Sequence, residues 1–217
     1  MIINIDKPIG WTSFDIVKKV RRITGHKKVG HGGTLDPFAS GVLIIGTETD
    51  TKKLTKITNS DKTYEAKLEL GKTTATLDSE GKIINTEEVP KLKHKKIKSA
   101  LNHFLGKQKQ VPPMYSAKKI KGVRLYKLAR KNIEVERNDI DIYINNIELV
   151  EYSKNTIRFI VECSKGTYVR VLGKDIAEKL DTIGYLSALK RTKVGNYLIN
   201  DSLSINGFQD KWKYINH

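Results

Sequence analysis

Apolar residues recur along this chain at two spacings, and the places where one gives way to the other predict its elements. Residues 2–5 form a short apolar strand, ended by the turn Lys7-Pro8-Ile9-Gly10. Ile16, Val17, Val20 and Ile23 then return at the period of a helix, with Lys18, Lys19, Arg21 and Arg22 on the other face. Thr12 or Ser13 can cap that helix, Asp15 favours its first turn, and Gly25 ends it. Residues 42–46 are apolar without a break, as in a buried strand. Ala66, Leu68 and Leu70 alternate with Glu65, Lys67 and Glu69 in the two-residue period of a half-exposed strand. The same alternation marks Ile140, Ile142 and Ile144, and again Ile157, Phe159, Val161 and Cys163. A second helix is expected over 97–105, with Ile97, Leu101, Phe104 and Leu105 inward and Gly106 as its stop. A third follows Tyr168 on Val169, Leu172, Ile176 and Leu180. Strands of antiparallel character mixed irregularly with helices predict an α+β protein rather than a doubly wound sheet.

Charge adds a partner to this picture. The chain has 217 residues, 38% of them hydrophobic, which suffices for one substantial core or two small ones. Lys and Arg number 40 against 24 acidic residues, a formal net charge of +16, so a polyanionic partner is expected. Many lysines fall in runs such as KLKHKKIK at 91–98, which equally suits a solvated helix face, and charge alone leaves RNA, DNA and anionic membrane unranked. Cys163 is the only cysteine, which rules out an internal disulfide and a thiolate metal cluster and fits a reducing cytoplasm. The histidines at 26, 31, 94, 103 and 217 lie in no ligand spacing, so no metal is expected. The start MIINIDKPIGW has no secretory pattern and no apolar run approaches ~18 residues, so the chain is expected neither to be exported nor to span a membrane.

The candidate chemistry centres on residues 30–43, GHGGTLDPFASGVL, where Asp36 is the single acidic residue. Pro37 fixes the backbone after it, and Gly30, Gly32 and Gly33 let the chain bend before it. An isolated Leu-Asp-Pro is most often a plain turn; a lone carboxylate displayed on a rigid turn of a strongly basic protein also suits acid chemistry on a polyanion. Gly71-Lys72-Thr73 has Ala66 where a P-loop needs its first glycine, which argues against a nucleotide triphosphate site. Residues 110–130, QVPPMYSAKKIKGVRLYKLAR, carry paired prolines and interleave Lys118, Lys119, Lys121, Arg124 and Arg130 with Tyr115 and Tyr126. Such a loop reads either as a nucleic-acid surface or as a loop anchored by its tyrosines. In CSKGTYVRVLGKD at 163–175, Arg170 falls near a helix N-terminus, where its charge needs an answering anion: solvent, a phosphate, or a carboxylate such as Asp36. Lys62-Thr63-Tyr64 opens one strand and Leu189-Lys190-Arg191-Thr192 the last; each is weak alone.

Together the segments KPIGWTS (7–13), GHGGTLDPFASGVL (30–43), KTYEAKLELG (62–71), QVPPMYSAKKIKGVRLYKLAR (110–130), CSKGTYVRVLGKD (163–175) and ALKRTKVGNY (188–197) resemble, in order and spacing, the TruB-type tRNA pseudouridine synthases. The resemblance implies the pseudouridine synthase fold, a mixed, largely antiparallel sheet flanked by helices, over residues 1–197. Residues 198–217 would be a short tail, without the separate PUA-type RNA-binding domain that bacterial members usually carry. It implies isomerisation of the T-loop uridine at position 55 of tRNA, with no cofactor and no metal, by a cytoplasmic monomer. Asp36 matches the family's catalytic aspartate, acting either as nucleophile at C1′ or as base at C2′. By the same resemblance Arg170 pairs with Asp36, Tyr64 stacks on the target uracil and helps remove the C5 proton, and His31 fills the space of the flipped uridine. The resemblance also implies that Tyr168 and Leu189 contact the target nucleotide and line its pocket. The rival reading is a tRNA-binding or tRNA-folding chaperone whose catalysis is incidental or absent.

Overall fold

The computed structural model describes residues 1–120 and 122–216, so Lys121 of the basic loop and His217 lie outside the described residues. In chain order the elements are β1 (Ile2–Lys7), α1 (Ser13–Thr24), β2 (Val29–His31), β3 (Ser40–Thr47), α2 (Leu54–Thr58), β4 (Lys62–Leu70), β5 (Lys72–Thr74), β6 (Ile83–Thr86) and α3 (His94–Asn102). Then follow β7 (Gly106–Gln110), β8 (Lys119–Ile120), β9 (Val123–Arg124), α4 (Leu125–Ala129), β10 (Ile140–Tyr152), β11 (Thr156–Cys163), α5 (Val169–Lys179), β12 (Gly184–Val194), β13 (Tyr197–Leu198) and α6 (Ile205–Asn216). The protein is α+β, with mixed strand pairing and flanking helices, and its contacts divide it into two units, 1–64 with 189–217, and 65–188.

In the first unit β3 is the hub. One edge pairs antiparallel with β1, from Ile2 opposite Gly46 to Lys7 opposite Gly41. The other edge takes β2 antiparallel at residues 45–47 and the end of β12 in parallel at Ser40 and Gly41. Helix α1 begins as its sequence predicts. Thr12 is the N-cap, its hydroxyl accepting from the Asp15 amide at 3.1 Å, while the Asp15 carboxylate accepts from the Thr12 amide at 3.0 Å and the Thr12 hydroxyl at 2.6 Å. Those hydrogen bonds from Thr12 hold the Asp15 carboxyl below its ordinary value. Gly25 ends the helix in the left-handed conformation. The inward stripe of α1, Ile16, Val17 and Val20, packs with Ile3 and Ile5 of β1 and with Ile205 and Phe208 of α6. Each such side chain contributes about 1.5–3 kcal/mol when fully buried. Beyond Tyr197, α6 thus joins this unit's core, with Trp212 packed on the same cluster and Tyr214 exposed.

In the second unit the strands lie in the order β12-β4-β11-β10-β7, with β10 antiparallel to both β11 and β7. Within this unit β4 buries alternate residues, Ala66, Leu68 and Leu70, and β11 buries Ile157, Phe159, Val161 and Cys163, both as the two-residue period predicts. Helix α5 buries Val169, Leu172 and Ile176. Helix α3 differs from its expectation: it spans His94–Asn102, so it starts earlier and stops sooner, and Leu105 is exposed. Gly106 opens β7 instead of closing the helix, and takes a left-handed φ of 84° to do so. The lysine run at 91–98 therefore leads into α3, where Ile97 is buried and His94, Lys95, Lys98, Ser99 and Asn102 line an open cleft of about 460 Å³. The segment LKRT was expected to open the last strand; it lies instead inside β12, beyond its midpoint. Among the described residues no helix is long and apolar enough to cross a membrane.

Candidate active site

Asp36 stands on the loop 32–39, which leaves the β3 edge between the places taken by β2 and β12. The loop is gripped at four points. The Gly32 amide donates to the Ile44 carbonyl at 2.8 Å, which closes its entry against β3. The buried Ser13 hydroxyl, at the start of α1, donates to the Leu35 carbonyl at 3.0 Å and accepts from the Leu35 amide at 2.9 Å. The Pro37 carbonyl accepts from the Gly10 amide at 2.8 Å and from the Lys7 ammonium at 3.5 Å. The Arg191 guanidinium donates to the carbonyls of Gly33, Thr34 and Val42 at 3.2, 3.2 and 2.8 Å. Asp36 itself is half-buried, and its carbonyl closes a turn by accepting from the Ala39 amide at 3.1 Å.

The two cations beneath the loop are the site's unforeseen parts. Lys7 is fully buried, with its ammonium also on the carbonyls of Pro8 at 2.8 Å and Trp11 at 2.7 Å. It continues the inward face of β1, after Ile3 and Ile5, so the two-residue alternation carried the signal. Arg191 is 1% exposed and shares the buried face of β12 with Leu189. The glycines serve packing more than access. A Cβ at Gly32 would stand 3.1 Å from the Ile57 side chain, so the missing side chain lets the loop pack closely on α2. Gly41 takes φ 107°, and a Cβ there would fall 2.2 Å from the Arg191 carbonyl oxygen.

His31, Tyr64 and Leu189 belong to the same unit as Asp36. His31 is half-buried at the end of β2, opposite Ile45 and directly before the loop. Tyr64 is buried near the start of β4, which Lys62 fixes by donating to the Thr58 carbonyl at the end of α2 at 2.6 Å. Leu189 is buried two residues before Arg191.

Tyr168 and Arg170 belong to the second unit. Tyr168 is the N-cap of α5, where the buried Gln110 side chain clamps its backbone: Oε1 accepts from the Tyr168 amide at 2.8 Å and Nε2 donates to the Tyr168 carbonyl at 3.2 Å. Arg170, in the first turn of α5, is buried and needs an answering anion there. Within its unit that anion is Asp78, at 3.2 Å and equally buried, which sequence reading did not single out. The Arg170 guanidinium also donates to the carbonyls of Thr76 and Tyr115, both at 2.7 Å, so the proline-bearing loop is tied to α5. Asp78 in turn accepts from the Thr76 hydroxyl and, at 3.0 Å, from the Glu80 amide. A buried ion pair of this kind adds little net stability but holds its members in one orientation.

Residues 21–169 match the model of the TruB family pseudouridylate synthase (N terminal domain). The chain belongs to this family. A tRNA pseudouridine synthase B of Clostridium tetani is 46% identical over 210 residues, which cover 97% of this chain and 73% of that protein. One of Ureaplasma urealyticum serovar 10 is 44% identical over 219 residues, covering 99% of this chain and 95% of that protein. Among solved structures, a Cbf5-Nop10-Gar1 complex superposes with a TM-score of 0.79 at 26% identity, over the whole of this chain and 55% of that one. An archaeal box H/ACA sRNP Nop10-Cbf5 complex, at TM-score 0.73 and 24% identity, shares the fold.

Proposed function

We propose that the protein isomerises uridine to pseudouridine in tRNA, at position 55 of the T-loop, with Asp36 as the acting carboxylate. The observation that carries this reading is the Asp36 loop: one carboxylate held on a backbone clamped by Ser13, Lys7 and Arg191, in a chain of the pseudouridylate synthase family. The reaction breaks N1–C1′, turns the uracil while it stays bound, and forms C5–C1′; C5 then loses its proton and N1 gains one. Asp36 starts it either by attack on C1′ or by removal of the C2′ proton. The leaving base is also the incoming group, so a second carboxylate to activate water has no task.

Arg170 pairs with Asp36 during the reaction; its anchoring to Asp78 and to two carbonyls supports a fixed guanidinium suited to that role. Tyr64 stacks on the uracil and assists loss of the C5 proton, His31 fills the place of the flipped nucleotide, and Tyr168 and Leu189 line its pocket. The T-arm is the docking element of the substrate, and the enzyme works as a cytoplasmic monomer. The net charge of +16 and the exposed Lys18, Arg21 and Arg22 of α1 support a nucleic-acid partner. The identity to relatives named for tRNA favours tRNA over a guide-directed target.

Tritium release from a T-arm transcript carrying 5-tritiated uridine tests the reading. Release by the wild-type protein and none by Asp36→Asn is expected. A wild-type protein that binds the transcript and releases nothing is a chaperone, and the enzymatic reading ends there.

A further inference from the structure

We infer that Arg191 is a positioning residue for this reaction: its guanidinium clamps both ends of the Asp36 loop and thereby sets where the carboxylate stands. The inference rests on the assignment of Asp36 made above. The three carbonyls that Arg191 holds belong to Gly33 and Thr34, before Asp36, and to Val42, after it. One rigid fork therefore spans the loop, which a lysine with a single point of charge reproduces only in part. The backbone is fixed at the same place, because Arg191 pairs with Gly41 in the parallel register of β12 and β3. Gly41 has no side chain there, and a Cβ would collide with the Arg191 carbonyl.

A structural role alone explains this residue poorly. Arg191 is 1% exposed, and among the described residues no carboxylate forms an ion pair with it. A buried guanidinium answered only by carbonyl dipoles costs folding energy that a methionine of similar reach would avoid. What the guanidinium adds is directional: three donors aimed at the two stems of one loop. It also links two parts of the proposed site, since Leu189 lies two residues before it on the same buried face of β12.

The test compares Arg191→Met and Arg191→Lys with the wild type, using single-turnover conversion of the T-arm transcript, transcript affinity, and amide exchange of residues 32–43. A displacement of the loop by about 1 Å is expected to lower the conversion rate of Arg191→Met about 10²-fold. Affinity for the transcript is expected to stay within about twofold, because the loss falls on the transition state rather than on binding. Exchange over 32–43 rises while that of α1 is unchanged, and Arg191→Lys recovers part of the rate. A folded Arg191→Met that converts at the wild-type rate overturns the inference, as does a loss confined to affinity. Should Arg191→Met fail to fold, Arg191→Lys carries the test: a wild-type rate with wild-type loop exchange overturns the inference, and a reduced rate with faster loop exchange supports it. Equal conversion by Asp36→Asn and the wild type refutes the assignment of Asp36 instead, and loop exchange in the Arg191 variants then still reports on the clamp.

Discussion

Replacing Ser13 with alanine removes one oxygen and breaks the tie between α1 and the residue preceding Asp36. The hydroxyl serves both the amide and the carbonyl of Leu35, at 2.9 and 3.0 Å, and both residues are 3% exposed. Ser13→Ala therefore leaves a buried N–H and a buried C=O without their partner. Each such group costs about 1–3 kcal/mol when orphaned, and partial relaxation brings the pair to about 2–4 kcal/mol. For a chain of this length about 2–4 °C of Tm accompanies each kcal/mol, so a fall of roughly 5–15 °C is expected. Freed at Leu35, the neighbouring Asp36 samples more positions, and conversion slows by about tenfold or more while transcript affinity holds. Calorimetric melting together with single-turnover conversion measures both effects, and Ser13→Thr, which keeps the hydroxyl, serves as the conservative control. A stability for Ser13→Ala within about 0.5 kcal/mol of the wild type, the range of an ordinary surface change, refutes the claim that this hydroxyl holds the loop.

Three further outcomes follow from the geometry. Asp78→Asn removes one member of a buried ion pair and should cost about 3–5 kcal/mol, read from the urea midpoint; a loss below about 1 kcal/mol contradicts the pairing with Arg170. Burial, the largest cause, and the neighbouring Glu178 push the Asp175 carboxyl above its ordinary value against the pull of Lys174, so its protonated form is favoured in the folded state. Its contribution is intact below the ordinary carboxylate range and is lost as pH rises through the raised value; Asp175→Asn should thus melt higher than the wild type at pH 7, and the gain should vanish below about pH 4. Transcript affinity should fall steeply with salt, by about 0.7–0.9 log unit per log unit of salt for each phosphate neutralised, and a titration flat from low to physiological salt would contradict a phosphate-contacting surface.

Local rules made much of the fold legible. The capping pair Thr12 and Asp15, the stop at Gly25 and the alternation in β4 and β11 are determined within a few residues, and each is observed. Helix α3 was misplaced because His94, Lys95 and Lys96 hide its first turn from a hydrophobic pattern, while Phe104 and Leu105 continue the period by accident where the chain must turn into β7. Asp36 could be picked out because its glycine and proline neighbours are local. Of the residues that hold its loop, Lys7 is marked by the alternation of β1, whereas Arg191 reads as a surface cation until the strands that bury it are assembled. Asp78 looked like any aspartate in a turn, and only the fold carries it to the Arg170 guanidinium. The packing of α6 was hidden for the same reason: its Ile205 and Phe208 meet β1 and α1 only in three dimensions.

Whether the Asp36 carboxylate performs the isomerisation is decided at the modified nucleotide itself. The measurement is a map of pseudouridine at single-nucleotide resolution in a full-length tRNA transcript, after treatment with equal amounts of wild-type protein or a folded Asp36→Asn variant. Complete conversion at position 55 by the wild type is expected, and none by the variant despite undiminished binding. Conversion at that position by Asp36→Asn at the wild-type rate would contradict that role for Asp36.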